Sequence, residues 1–323
     1  MAINPIRAFY LASRGTKNFL LKRPFCVSFE ITYSCNAKCK HCHLGRIITE
    51  EERATPEQFG ARAEQLKPVV AQISGGEPLL RRDLEQIIKV IKRPQRPPFI
   101  VLTTNASLLT KEKYTSLREA GVDEFSVSLD YPDERHDEFR GIPGLFKRIE
   151  TLCTSLRAIK DKCITLSCVV QSQNYKDVIA LAEKAREWEV KMNFSTYTWL
   201  RTAKKEYMIP EDEMPEFKEI IRRLIDFKRK YKTVFTSEYV FKQMIKFFEN
   251  HETPDCRAGE RFLVVNPDGT LSPCGLIIKK YQSQREIKED FLKSNTCNYC
   301  FTSIRANSEK PVKYLIQDNL QNI

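Results

Sequence analysis

Apolar residues recur along this chain at two spacings. From Phe25 to Thr32 the run Phe-Cys-Val-Ser-Phe-Glu-Ile-Thr alternates as a strand does, and five more short β-rich runs follow at 69–74, 99–103, 125–129, 164–170 and 192–197. Between them the spacing lengthens to that of amphipathic helices, over 55–66, 81–92, 110–120, 144–160 and 174–188, with a sixth over 210–231. Thr55-Pro56-Glu57 opens the first helix, and the third ends before Gly121. Strands separated by helices imply right-handed crossovers and a parallel sheet. Six such units are too few to close an eight-stranded barrel. The expected fold is therefore α/β, an open partial (β/α)6 TIM-like barrel over 24–232, with its chemistry in the loops at the carboxyl ends of the strands. Residues 233–255 read as a helical link. Beyond them, cysteine-punctuated turns such as Asn-Pro-Asp-Gly-Thr at 266–270, a hairpin signal, predict a small cysteine-rich domain over 256–323.

Residues 1–23 form a separate basic segment. Arg7, Arg14, Lys17, Lys22 and Arg23 are interleaved with Ile3, Ile6, Phe9, Tyr10, Leu11, Phe19, Leu20 and Leu21, and no acidic residue is present. Two readings follow: a helix packed on the barrel, or a helix resting on a membrane surface or beside a hydrophobic substrate entrance. With 41% hydrophobic and 29% charged residues the composition is that of a soluble protein. No apolar run approaches the length of a membrane span, and the N-terminus lacks a secretory signal, so the expected location is the cytoplasm. The net charge of +11 is compatible with nucleic acid, an anionic membrane or an acidic substrate and does not choose among them.

Eleven cysteines in a reducing compartment bind metal or fill the core rather than pair. Cys26, Cys153, Cys163 and Cys168 lie in apolar runs and read as core residues. Cys35, Cys39 and Cys42 have three and then two residues between them, close enough to converge on one metal centre. A zinc ion would need a fourth ligand, which His41 or His43 could supply, whereas an iron–sulfur cluster can use three thiolates and leave one iron open. Cys256, Cys274, Cys297 and Cys300 suit complete coordination of one cluster, or of zinc. After the second strand, Ser74-Gly75-Gly76-Glu77-Pro78 lets the backbone approach a ligand without interference from a Cβ. Ser128 and Asp130, at the end of the fourth strand, suit ribose hydroxyls, and Arg140 suits a carboxylate; a strand-end cap and a surface arginine are the plainer readings. Asn105 lines the same mouth or simply ends the third strand.

Taken in order, the C-x3-C-x2-C loop after strand one, Gly-Gly-Glu-Pro after strand two, Ser-Leu-Asp at the end of strand four and the arginine beyond it resemble the radical S-adenosylmethionine (SAM) enzymes. The resemblance implies that Cys35, Cys39 and Cys42 hold a [4Fe–4S] cluster whose fourth iron SAM chelates. It also implies that Gly75, Gly76, Glu77 and Pro78 hold the amino group of SAM and that Ser128 and Arg140 contact it, with Asp130 and Asn105 as further candidates. Two departures stand out: Tyr131-Pro132 follows Ser-Leu-Asp where many relatives have glycine, and His41 stands where relatives often carry an aromatic residue. His41 can still stack on adenine and is not assigned as a ligand. The second cysteine group resembles the C-terminal SPASM and twitch domains. A full SPASM domain has seven cysteines and two auxiliary clusters, and no cysteine follows Cys300, so the expectation is a twitch-like or truncated domain with one auxiliary [4Fe–4S] cluster, a structural zinc ribbon being the alternative.

The implied activity is reductive cleavage of SAM to a 5′-deoxyadenosyl radical that abstracts hydrogen from a peptide, lipid or small metabolite, with electrons from an external donor such as flavodoxin or ferredoxin. Residues 1–23 are too few for a fused peptide-recognition domain, so a peptide substrate would need a separate carrier. The alternative class is a non-catalytic zinc-binding protein with a basic surface for nucleic acid. No recognition motif supports it, and nucleic acid is not an expected partner.

Overall fold

The computed structural model describes residues 5–93, 96–159, 162–277, 279–311 and 314. Ile3, Lys160 at the end of one expected helix, and the tail 315–323 of the expected C-terminal domain lie outside them. The chain forms two compact units. The first comprises Met1–Lys38, Leu44–Ser126 and Arg257–Asn295, and the second Cys39–His43, Val127–Cys256 and Thr296–Ile323.

In the first unit, β1 (Cys26–Thr32), β2 (Val70–Gly75) and β3 (Phe99–Thr104) alternate with α2 (Pro56–Leu66), α3 (Leu84–Ile91) and α4 (Lys111–Ala120), after an N-terminal helix α1 (Pro5–Leu20). The strands pair in parallel, Cys26 opposite Val70 and Val70 opposite Phe99. Val27, Phe29, Ile31, Ala71, Ile73, Ile100 and Leu102 are fully buried, each of the larger side chains contributing about 1.5–3 kcal/mol. Thr55 caps α2 in a reciprocal box with Gln58, fixing the start that the sequence predicted. The hairpin expected at 266–270 is present, joining β7 (Phe262–Val265) to the short β8 (Leu271–Ser272). Its first strand does more than form a hairpin. Every residue of β7 is buried, and β7 pairs in parallel with the free edge of β1, Cys26 facing Phe262, giving the order β3-β2-β1-β7-β8 in this unit.

β4 (Glu124–Ser128) spans the division between the units. The second unit continues with α5 (Arg135–Arg140), α6 (Leu145–Ser155), β5 (Ile164–Val170), α7 (Val178–Glu187), β6 (Lys191–Thr196), α8 (Met214–Tyr231) and α9 (Glu238–Asn250). β5 and β6 are parallel, from Thr165 opposite Lys191 to Val170 opposite Thr196. Trp188, Phe194, Phe217, Phe241 and Phe247 fill this core. The expected helices at 174–188 and 210–231 each open with one tighter 3₁₀ turn, Tyr175–Asp177 and Glu211–Glu213. The helical link narrows to α9, capped by Ser237.

α1 packs on the first unit through its polar face. Arg7 grips Asp123 with both terminal nitrogens, one at 2.6 Å, and Lys92 reaches the same carboxylate at 2.7 Å. The buried Asn18 donates to the carbonyls of Pro24 and Lys67, and Gly15 lies against Phe25. Burial alone would raise the Asp123 pKa, but bonds from Arg7, Lys92 and the Ile100 amide outweigh it and hold the carboxyl below its usual range. Lys92 shifts down as well, because burial costs it more than its single carboxylate contact returns. The direction at Asp123, which has three donors, decides the behaviour of the group.

Asp123→Asn should therefore lower the unfolding free energy by about 3 kcal/mol at neutral pH. The stabilisation from a depressed carboxyl is complete above the ordinary carboxylate range and disappears as pH falls through the folded-state value. The gap between wild type and variant in urea titrations should close as pH drops below about 4; a gap that persists in acid would rule out the charge as its source.

Candidate functional site

The carboxyl ends of the strands carry the motif residues. In the first unit the turn after β2 is pressed against the loop after β1. The Gly76 amide donates to the Thr32 carbonyl at 2.7 Å and the Glu77 amide to the Ser34 carbonyl at 2.9 Å. A Cβ at Gly75 would lie 2.2 Å from the Thr32 oxygen and one at Gly76 2.1 Å from the Ser34 oxygen, so neither position admits a side chain. Gly75 also has a φ of +123°, which disfavours any other residue. Pro78 begins a 3₁₀ turn that the Glu77 carboxylate caps through the Leu79 amide.

Glu77 is buried, and its carboxylate is engaged by the protein: it accepts from the Thr104 hydroxyl at 2.7 Å and the Asn105 amide at 2.8 Å. It ties the end of β2 to the end of β3. Asn105 in turn donates to the side chain of Asn36 at 3.0 Å, and Asn36 donates to Ser107. Asn36 lies inside the cysteine loop, directly after Cys35. The loop is further closed by Glu51, which accepts from the Thr32 hydroxyl and the Tyr33 amide, and by the Cys35 amide, which donates to the Arg46 carbonyl. Asn36 and Glu51 escaped the sequence reading. Only the position of Asn36 between two of the cysteines could have signalled it.

In the second unit Asp130 is fully buried and accepts from the Nε and a terminal nitrogen of Arg140, at 2.7 and 2.6 Å. Its other oxygen accepts from the Val169 amide. The remaining Arg140 nitrogen, Nη1, lies 3.6 Å from Cys39 Sγ. Burial raises the Cys39 thiol pKa, and the Arg140 charge draws it partly back. Beside them His41 stacks on Phe139 at 5.0 Å, its pKa pulled down to about 4 by burial and then by Arg140. The sequence reading had missed His136, whose Nδ1 accepts from the Asp130 amide and whose pKa also falls to about 4 through burial. Ser128 ends β4.

The second cysteine group is brought together in part. In the second unit Cys256 donates to Cys297, whose thiol pKa is drawn down to about 6 first by that bond, against burial, and then by the Tyr299 amide and Arg305. Arg305 is fully buried on α10 (Ser303–Ser308), donating to the carbonyls of Cys300, Thr253 and Pro254 at 2.7–2.8 Å and pairing with Glu309 at 2.9 Å. Burial raises the Cys300 thiol, with Arg305 opposing. Cys274 belongs to the first unit, where it is buried and bridges Ile277. Among the described residues, no three cysteine, histidine or acidic side chains are drawn up around one point as ligands of a bound ion. The fit to a cluster rests on donor chemistry: closely spaced thiols, with a buried guanidinium beside each group to favour negative charge.

Residues 29–185 match the Radical SAM superfamily. The chain is 28% identical to an AdoMet-dependent heme synthase of Oleidesulfovibrio alaskensis, over 78% of this chain and 69% of that protein. It is 25% identical to the antilisterial bacteriocin subtilosin biosynthesis protein AlbA of Bacillus subtilis, over 84% and 59%. The crystal structure of Streptococcus suis SuiB bound to S-adenosylmethionine superposes with a TM-score of 0.64 at 17% identity, covering 88% of this chain and 68% of that one, a likeness of fold. The fold is the α/β partial (β/α)6 barrel. Over residues 29–185, just under half of its length, the chain is similar to the radical SAM superfamily. No helix among the described residues is long and apolar enough to cross a membrane.

Because both Glu77 oxygens face donors, Glu77→Gln turns an amide NH₂ toward another donor and should cost about 1–3 kcal/mol of stability in chemical denaturation. An unchanged midpoint would mean that the carboxylate does not tie β2 to β3.

Proposed function

We propose that Cys35, Cys39 and Cys42 hold the [4Fe–4S] cluster of the SAM site, and that the turn Gly75–Pro78, Asn105, Ser128 and Arg140 receive the polar groups of SAM. The observation that carries this reading is the Asp130–Arg140 pair. A buried carboxylate holds the guanidinium by two nitrogens and leaves a third beside Cys39, so the cation is fixed before any ligand arrives. Asp130 then acts through Arg140, as a positioning residue. Glu77 does the same through the backbone: its carboxylate and the Gly76 and Glu77 amides are spent within the protein, and backbone carbonyls of the turn are what it presents to an amino group. Neutral His41, flat against Phe139, offers an aromatic surface where adenine can stack. Bound together, the cluster and SAM supply the radical chemistry; the chain orients the sulfonium, keeps water away and shields the radical from its own side chains.

The second reading concerns Cys256, Cys274, Cys297 and Cys300, which we assign to one auxiliary [4Fe–4S] cluster in a twitch-like C-terminal region over 256–323, with 233–255 as the link from the barrel at 24–232. The Cys256–Cys297 contact and the Arg305 charge support it, since thiolates are the ligand form. With every ligand supplied by protein, this cluster serves electron transfer, substrate orientation or folding rather than SAM cleavage. An external donor such as flavodoxin or ferredoxin would deliver the electron, in the cytoplasm. The substrate belongs among peptides, lipids and small metabolites.

Anaerobically reconstituted protein should contain about eight irons per chain, and Cys297→Ala with Cys300→Ala about four. The double variant should still release 5′-deoxyadenosine under strong chemical reduction, whereas Cys42→Ala should release none. Cleavage by the Cys42 variant at the wild-type rate would overturn the first assignment; an unchanged iron count in the double variant would overturn the second.

A further inference from the structure

The N-terminal helix is turned inside out for a soluble protein. Its polar residues Arg7, Arg14 and Asn18 face the first unit and make its anchoring bonds, while its apolar residues face solvent: Ile6 is 56% exposed, Phe9 69%, Phe19 49% and Leu20 72%. Leu21, just past the helix, is also half exposed. On a helix, positions 6, 9, 13, 16 and 20 fall on one side and 7, 11, 14 and 18 on another, so exposed Ile6, Phe9 and Leu20 share a face, with Ser13 and Thr16 between them, while Phe19 lies off it under Arg261. Large side chains on a packed soluble surface usually occur singly; three along one face of a helix mark an interaction site.

Charge identifies the occupant. Residues 5–23 contain no carboxylate, and among the described residues Lys17, Lys22 and Arg23 have no ion-pair partner. Lys288 joins them, donating to the Lys22 carbonyl at 2.7 Å; burial lowers its pKa, the Glu260 carboxylate opposes, and the charges of Lys22 and Arg23 lower it further. On the flank of the apolar face, a cavity of about 150 Å3 is lined by Arg14, Lys67, Arg93 and Arg96; Glu64, the one acidic residue lining it, pairs with Arg93 at 2.7 Å and Lys67 at 3.6 Å, so the four cations outnumber it and leave net positive charge for a phosphate. Arg96 stacks over Tyr10, which in turn meets the ring of Phe9 edge-on, so the basic cavity and the apolar face adjoin. An exposed apolar strip rimmed by cations fits a surface that is apolar beneath and anionic at the top.

We propose that α1 docks this chain on the surface of an anionic phospholipid bilayer, with Ile6, Phe9 and Leu20 entering the interface, Lys17, Lys22 and Arg23 among the headgroups, and the Arg14–Arg93–Arg96 cavity taking a lipid phosphate. Arg7 does not touch lipid, because Asp123 holds it. This surface is independent of the cofactor assignment, and the test reads neither cluster nor SAM.

The full chain should co-float with phosphatidylcholine vesicles that contain phosphatidylglycerol and remain in solution with phosphatidylcholine alone. Raising salt from about 0.1 M to about 1 M should reduce binding, as the screening length shrinks from about 10 Å to about 3 Å. Each surface cation is worth about fivefold in partition, so Lys17→Gln with Lys22→Gln should weaken binding about twenty-five-fold. Phe9→Asp with Leu20→Asp should abolish flotation while the melting temperature stays at its wild-type value, since both side chains are exposed. Flotation that survives the double aspartate variant overturns the proposal. So does a wild type that ignores vesicles yet sediments as a dimer that the same variant splits, in which case the face meets a second copy of the chain.

Discussion

Among the described glycines of the first unit, Gly75 and Gly76 meet their neighbours most closely, bare backbone against backbone. The turn after β2 donates two amides to carbonyls of the loop after β1, at a separation that leaves no room for a Cβ on either glycine. Everything near the strand ends follows from that contact. With the turn so close, the Glu77 carboxylate is carried inward to the end of β3, where it satisfies Thr104 and Asn105; Asn105 then reaches back to Asn36 in the cysteine loop. Three strand ends are thus linked in a ring of backbone and carboxylate bonds. A paired ring of this kind, buried at Glu77 and Asn105 and exposed at Asn36, holds its geometry without help from a ligand.

The same device recurs with charge. Asp123 gathers Arg7 and Lys92, Asp130 fixes Arg140, and Arg305 is held by three carbonyls and Glu309. Each is a buried ion whose desolvation would be costly alone and is offset by several short bonds. The first anchors a helix. The other two stand beside cysteines, where a fixed positive charge favours thiolate and so favours metal.

Much of this was legible in the sequence because it is local. The six strands and the helices between them follow from spacing within windows of about ten residues, and the observed ends differ by only a few positions. The cysteine loop and the Gly-Gly-Glu-Pro turn are likewise contiguous. α5 was missed because six residues, Arg135–Arg140, are too few to display a period. The other omissions depend on distant partners. Nothing in the neighbourhood of Arg305 says that it will be buried under Thr253, and nothing near Glu51 says that it will close on Thr32. The orientation of α1 was open for the same reason: its amphipathic face was evident, but which face meets the protein is decided by Asp123 and Lys67, far along the chain.

The pairing of β1 with β7 bears on how the chain is made. Cys26 emerges from the ribosome early, and its partner Phe262 only when most of the sequence has been translated. At about 5–20 residues per second that interval is on the order of tens of seconds. During it one edge of the nascent sheet, including buried Val27 and Phe29, has no neighbour and is open to strands of other chains. Truncation before β7 would make that exposure permanent. The segment after residue 256 therefore closes the sheet begun at residue 26 as well as carrying cysteines, and the chain has to be made through β7 before its first strand is safe from aggregation.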